Sequence, residues 1–151
     1  MAGDEVIVET PVFVETSLDP FSPLAPESPS DGNYVISALT VVDNTTNLMI
    51  QRIDDDTIRS WDEAWTYCRT LSIDGISIWR LPSWQELQSI VSYGDRSPAI
   101  NQVAFPSTNE STYWTATTDV YLSSAALRVS FLDGITLSAL KDSNAYVRCV
   151  R

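Results

Sequence analysis

Two Ser-x-x-Glu boxes, Ser60 to Glu63 and Ser83 to Glu86, most constrain what this chain can fold into. In such a box the serine side chain accepts from the backbone N–H of the glutamate. The glutamate carboxylate in turn accepts from the N–H of the serine, so two donors at a helix start are satisfied together. Each box opens a run with helical spacing of apolar residues. Trp61, Ala64, Trp65, Cys68 and Leu71 make the face of the first helix. Trp84, Leu87, Ile90 and Val91 make the face of the second, with Gly94 as its expected stop. Pro82 holds Leu81 extended and keeps the two helical segments from merging.

On either side of these helices the pattern is β-like. Tyr34-Val35-Ile36, Leu39–Val42 and Leu48–Gln51 read as strands, with Asp43–Asn47 as a turn. After a loop region from Gly94 to Thr112, Tyr113–Thr117 and Ala126–Phe131 alternate. Asp133-Gly134 then gives a hairpin turn, Ile135–Leu137 pairs back, and Tyr146–Arg151 closes the chain as a final strand with valine alternating against charge. Strands, two helices, a loop region and strands again predict an α+β fold on a twisted antiparallel sheet, without parallel crossover units.

Residues 1–33 read as a separate arm ahead of a globular domain over 34–151. Of the chain's 8 prolines, Pro11, Pro20, Pro23, Pro26 and Pro29 fall here, and each disfavours helix in the residue before it. The composition is that of a disordered linker. Two apolar, β-prone triplets stand out within it, Val6-Ile7-Val8 and Val12-Phe13-Val14. Neither can fold alone, but each can add to the edge of another sheet, so Val6, Val8, Val12 and Val14 are candidates for docking on a neighbouring subunit.

The charge is uneven. The net charge of -11 comes mostly from residues 1–51, which carry acids and no Lys or Arg. No basic patch offers the clustered cations that phosphate neutralisation needs, so nucleic acid is not an expected partner. No apolar run is long enough to span a membrane. The opening MAGDEVIVET lacks a basic n-region followed by an apolar h-region, so it is not expected to be a secretory signal. Export would follow removal of such a signal, or another route, such as inside a virion. The absence of histidine removes the commonest general base, the Ser-His and Cys-His pairs and most zinc sites. The two cysteines, Cys68 and Cys149, are either buried thiols or one long-range disulfide.

The densest stretch is Trp79-Arg80-Leu81-Pro82-Ser83-Trp84-Gln85-Glu86-Leu87. Leu81, Trp84 and Leu87 are expected to face the core, and Trp79 to pack between the helices and the sheet. Arg80 is left to bond loop carbonyls, a buried carboxylate or a ligand.

Taken in order, several motifs resemble the Lcl C-terminal domain family, from about Val41 to Arg151. They are Val42-Asp43-Asn44, Leu48-Met49, Trp61-Asp62-Glu63-Ala64, Tyr67-Cys68, Trp79-Arg80-Leu81-Pro82-Ser83 and Glu86-Leu87. Phe105-Pro106, Tyr113-Trp114-Thr115, Val129-Ser130-Phe131, Gly134 and Val147-Arg148-Cys149-Val150-Arg151 complete the set. Asn47 and Ile50 depart from the Gly and Trp usual in the family. The resemblance implies a C-type-lectin-like fold, found on bacterial surface proteins and phage. It also implies a disulfide from Cys68 in the first helix to Cys149 in the last strand. Such a bridge would add roughly 4 kcal/mol by loop closure and suit an oxidising location.

In that fold the binding surface is the loop region and late strands, here about 94–112 and 117–124. Tyr93, Arg96, Asn101, Asn109, Asp119 and Tyr121 are the candidates, with glycans or a cell-surface receptor as expected partners. Calcium is not expected. Asp54-Asp55-Asp56 lacks a spaced ligand pattern, and the Glu-Pro-Asn and Trp-Asn-Asp triplets of calcium-dependent lectins are missing. Formylglycine-generating enzymes share the broad fold but use cysteines placed elsewhere, and Asp62-Glu63 are explained by a helix start. No metal, cofactor or catalytic residue is therefore assigned. The expectation is a non-enzymatic extracellular, cell-surface or virion protein, a display head whose arm (residues 1–33) drives self-association into a homo-oligomer or filament or docks on other virion or surface subunits as a capsid or tail decoration.

Overall fold

The computed structural model describes residues 33–151, so the triplets bearing Val6, Val8, Val12 and Val14 lie outside the described residues. Strands β1 (Tyr34–Ile36), β2 (Thr40–Asp43) and β3 (Leu48–Gln51) form an antiparallel sheet in chain order. Helices α1 (Trp61–Thr70) and α2 (Trp84–Gln88) follow. Strands β4 (Thr112–Thr118), β5 (Ala125–Ser130) and β6 (Thr136–Leu140) form a second antiparallel sheet. The fold is α+β as expected, but built on two small sheets rather than one.

The β2–β3 turn shows how a non-glycine residue serves there. Asn47 sits at φ 61, a region that Asn enters more readily than most L-residues. The Asp43 carboxylate accepts from the Thr45 N–H at 2.8 Å and closes the start of the turn. The register then sets Val41 opposite Ile50, both fully buried.

Both capping boxes form. Ser60 accepts from Glu63 N–H and Glu63 from Ser60 N–H; Ser83 and Glu86 do the same. Helix α1 buries Ala64 and Cys68, with Trp61, Trp65 and Leu71 partly covered. Helix α2 stops at Gln88, well short of Gly94. The Ser89 hydroxyl donates to the Glu86 carbonyl at 2.6 Å. The Ile90 and Val91 N–H groups bond three residues back, to Leu87 and Gln88. That tighter turn still carries Ile90 into the core, which is why the apolar spacing outlasts the helix. Ser92 N–H then bonds the Ala99 carbonyl, and Val91 bridges Ile100.

The C-terminal segment also differs from the expected strand. It forms no ladder and instead fills the gap between sheets. Met49 and Arg151 exchange backbone bonds, Gln51 N–H bonds the Cys149 carbonyl, and Val150 exchanges bonds with Arg80. Tyr146 bonds Thr112 and Trp114 on the outer side of β4. With neighbours on several sides, the segment buries Val147, Arg148, Cys149 and Val150 in succession. The expected alternation of valine against exposed charge is therefore absent.

The core has two parts. Tyr34, Val41, Ile50, Leu87, Phe105 and Val129 belong to one. The other gathers Ala64, Trp79, Leu81, Trp114 and Val147 around the Cys68–Cys149 disulfide, whose Cα atoms are 5.5 Å apart. Trp79, Leu81 and Leu87 are buried as expected, and Trp84 is partly buried. Arg80 pairs with a carboxylate, though a partly exposed one rather than a buried one. Its guanidinium forks onto Glu86 at 2.7 and 2.8 Å, the same side chain that caps α2.

Candidate functional site

The loop surface between α2 and β4 is fixed from below by one buried arginine. Arg148 is 0% exposed and donates to the Gln51 and Arg52 carbonyls at 2.7 and 2.6 Å and to the Thr108 hydroxyl at 2.9 Å. It pairs with Asp54 at 3.4 Å and lies near the Phe105 and Tyr113 rings. The Tyr113 hydroxyl donates to the same Asp54 carboxylate at 2.5 Å and accepts from Asn109 N–H at 3.0 Å. Burial pushes the Tyr113 hydroxyl up to about 12, and the Arg148 guanidinium offsets this only in part. Thr108, Asn109 and the end of the first sheet are thereby tied to one charge pair.

A second arginine holds the loop from its side. Arg52 donates to the Ala104 and Val103 carbonyls at 3.1 Å each. On the other flank Arg59 forks onto Asp55 and stacks on Tyr67 at 3.9 Å. The Arg59 hydrogen bond holds the Asp55 carboxyl below its ordinary value. The acids 54–56 therefore do three separate jobs. Asp54 anchors the core, Asp55 pairs with Arg59, and Asp56 accepts from the Asn109 side-chain amide at 3.0 Å. Among the described residues, no group of three or more Asp, Glu, His or Cys is placed to hold a metal ion.

The six candidate residues do not share one pocket. Tyr93 is exposed and its hydroxyl meets Gln88 and the Gly134 carbonyl, across from the hairpin turn. Arg96 is exposed. Asn101 is buried, and its side-chain oxygen is spent on the Val103 and Ala104 N–H groups at 2.9 and 3.0 Å. Asn109 is half-buried and committed to Asp56 and Tyr113. Asp119 and Tyr121 do come together. The Asp119 carboxylate accepts from Tyr121 N–H at 2.8 Å, and the Tyr121 ring is 95% exposed. A hydrogen bond from Ser138 and that N–H keep the Asp119 carboxyl below its ordinary value. Val120 and Leu122 are also exposed, so the β4–β5 connection is an apolar tip on an ordered turn.

A recess with Asn101 in its wall borders these loops, and a separate groove lies along α1. The recess is polar, of about 240 Å³, and runs between the first sheet and the end of α2, with Asp43, Thr46 and Ser92 also in its wall. The shallower groove, of about 420 Å³, follows α1 past Arg59, Glu63 and Tyr67. Sequence reasoning missed the Arg148–Asp54–Tyr113 unit, because neither an arginine between Val147 and Cys149 nor an acid in an Asp run signals burial. The one available clue is the family-like Arg148-Cys149 pair beside a core cysteine. Among the described residues no helix is long and apolar enough to cross a membrane.

No curated protein matches the chain. The family model described as Lcl C-terminal domain matches residues 39–151, a span that takes in β2 to β6, both helices, the disulfide and the Arg148 anchor. The chain belongs to the Lcl C-terminal domain family.

Proposed function

We propose that this chain is a non-enzymatic extracellular or virion surface protein, with a C-type-lectin-like display head carried on an assembly arm. The observation that carries the reading is the Cys68–Cys149 disulfide, which fits an oxidising destination and a small domain built to keep its shape outside a cell. Three charge pairs support it. Asp54, Asp55, Glu86, Arg59, Arg80 and Arg148 are each held in ion pairs that stiffen the head. The arm then supplies what the head does not need for itself: length, β-prone triplets and acidity.

A second reading, an adhesin or receptor-binding module, is favoured by the tip. An exposed Tyr121 beside an ionised Asp119 offers the aromatic platform and hydrogen-bonding carboxylate that sugar recognition uses. Removing residues 1–32 separates the two. For the assembly reading, the truncated head stays folded, loses self-association and gives a blank glycan array. For the adhesin reading, the truncated head still binds a glycan or receptor, and Tyr121→Ala abolishes that binding.

A further inference from the structure

The sheets offer their outer edges unequally. The outer side of β3 is covered by Cys149 and Arg151, and that of β4 by Tyr146 and the Pro82 carbonyl. Strand β6 ends the second sheet, and no further strand pairs with it among the described residues. Lys141 N–H bonds Ser124 and the Ile135 carbonyl accepts from Ser130, so odd-numbered residues of this strand face β5. Thr136, Ser138 and Leu140 therefore direct their N–H groups outward.

Edges left in solution are usually guarded by lysine, proline, inward charge or a bulge. Thr136-Leu137-Ser138-Ala139-Leu140 has none of these and pairs with β5 in unbroken register. Leu137 and Leu140 are exposed, as is Ile135 just before the strand. Ile135, Leu137 and Ala139 recur at period two, so they line one face of the edge.

We propose that this edge receives Val12-Phe13-Val14 from the arm of a second copy, an inference that rests on the assembly-arm reading above. The triplet matches the edge in three ways. Val12 and Val14 repeat the period-two spacing of Leu137 and Ala139. Pro11 stands where a strand tolerates proline, at its start. Glu15 continues an arm without Lys or Arg, whereas β6 has no acid and is followed by Lys141. The stretch from Val14 to Asn33 includes Pro20, Pro23, Pro26 and Pro29. That composition favours an extended spacer of roughly 55 Å, long enough to reach a neighbouring copy. Each copy both gives a strand and receives one, so the contact is head-to-tail and propagates unless it closes into a ring.

Native mass spectrometry of full-length variants tests this. Ser138→Pro removes an outward N–H, and with it the side-chain bond to Asp119, while leaving the backbone bonds to β5, and Leu137→Lys charges the edge without touching the backbone or that bond. Either is expected to reduce the wild-type oligomer to monomer, as is Val12→Asp/Val14→Asp in the arm. Circular dichroism on each variant checks that the head stays folded; if Ser138→Pro unfolds, Leu137→Lys carries the edge test alone. Mixing a folded edge variant with the arm variant is expected to restore a 1:1 heterodimer that grows no further, since one intact edge meets one intact arm. A monomeric wild type, an oligomer that survives the edge substitutions, or a mixture that stays monomeric overturns the proposal. Assembly lost on removing residues 1–32 but kept in the edge variants would leave the assembly arm standing and refute only this edge as its receiver.

Discussion

Arg148 illustrates how much of this molecule hangs on single side chains. A guanidinium with no exposure is costly to bury, and here two backbone carbonyls, a hydroxyl and Asp54 compensate it. Arg148→Ala leaves Asp54 without its cation and opens a void under Phe105, so it is expected to destabilise the head by about 3–5 kcal/mol in denaturant unfolding. Tyr113 gives the same unit a pH signature. Its folded value is raised to about 12 from 10.0, so the unfolded chain releases this proton first as pH rises. Its contribution is full below pH 10 and is lost progressively through about pH 12. Urea midpoints should fall across that window, and Tyr113→Phe should fall less steeply. Asp55 and Glu86 work in the opposite direction. Their lowered values mean that the stability they add is present above their ordinary values and is lost as pH falls below them.

At the scale of elements, the two capping boxes were legible in the sequence, because a cap is a local contract between residues three apart. The strands of both hairpins were legible for a similar reason, alternation next to turn residues. What was not legible is tertiary. Nothing near Glu86 announces that it also receives Arg80, so that one carboxylate both starts α2 and holds the preceding strand-like segment. Glu86→Ala is therefore expected to cost more than Glu63→Ala, roughly 1–2 kcal/mol against about 1, by thermal unfolding. Gly134 is a second element-scale constraint. It sits at φ +83, and a Cβ there would lie 2.7 Å from a Val91 methyl and 2.9 Å from the Tyr93 ring. Gly134→Ala should destabilise by about 1–3 kcal/mol through strain and through displacement of those side chains. The early end of α2 escaped the sequence because the tighter turn at 89–91 keeps the same apolar spacing, and the bridging course of residues 146–151 because it depends on distant partners, β3 and Arg80.

For the whole molecule, the disulfide is the covalent link, joining residues 81 apart and tying α1 to the segment that stitches the two sheets together. Its pairing was implied by family likeness rather than by the residues alone, which left two thiols equally open. Breaking it with Cys68→Ser/Cys149→Ser should cost about 2–5 kcal/mol, and reduction should add about 2 Da to the intact mass, one hydrogen per thiol. The candidate binding residues were legible only as a region. Loops advertise exposure, but Asn101 and Asn109 turned out to hold backbone and Asp56, while Asp119 and Tyr121 stand together at the tip.

The proposed assembly of the head runs through its N-terminal arm, which deletion of residues 1–32 removes. Native mass spectrometry of the full-length chain beside the chain lacking those residues tests it most directly. Defined oligomers or a growing series are expected for the first and a folded monomer for the second. The same mass distribution in both, whether monomeric or oligomeric, would contradict it.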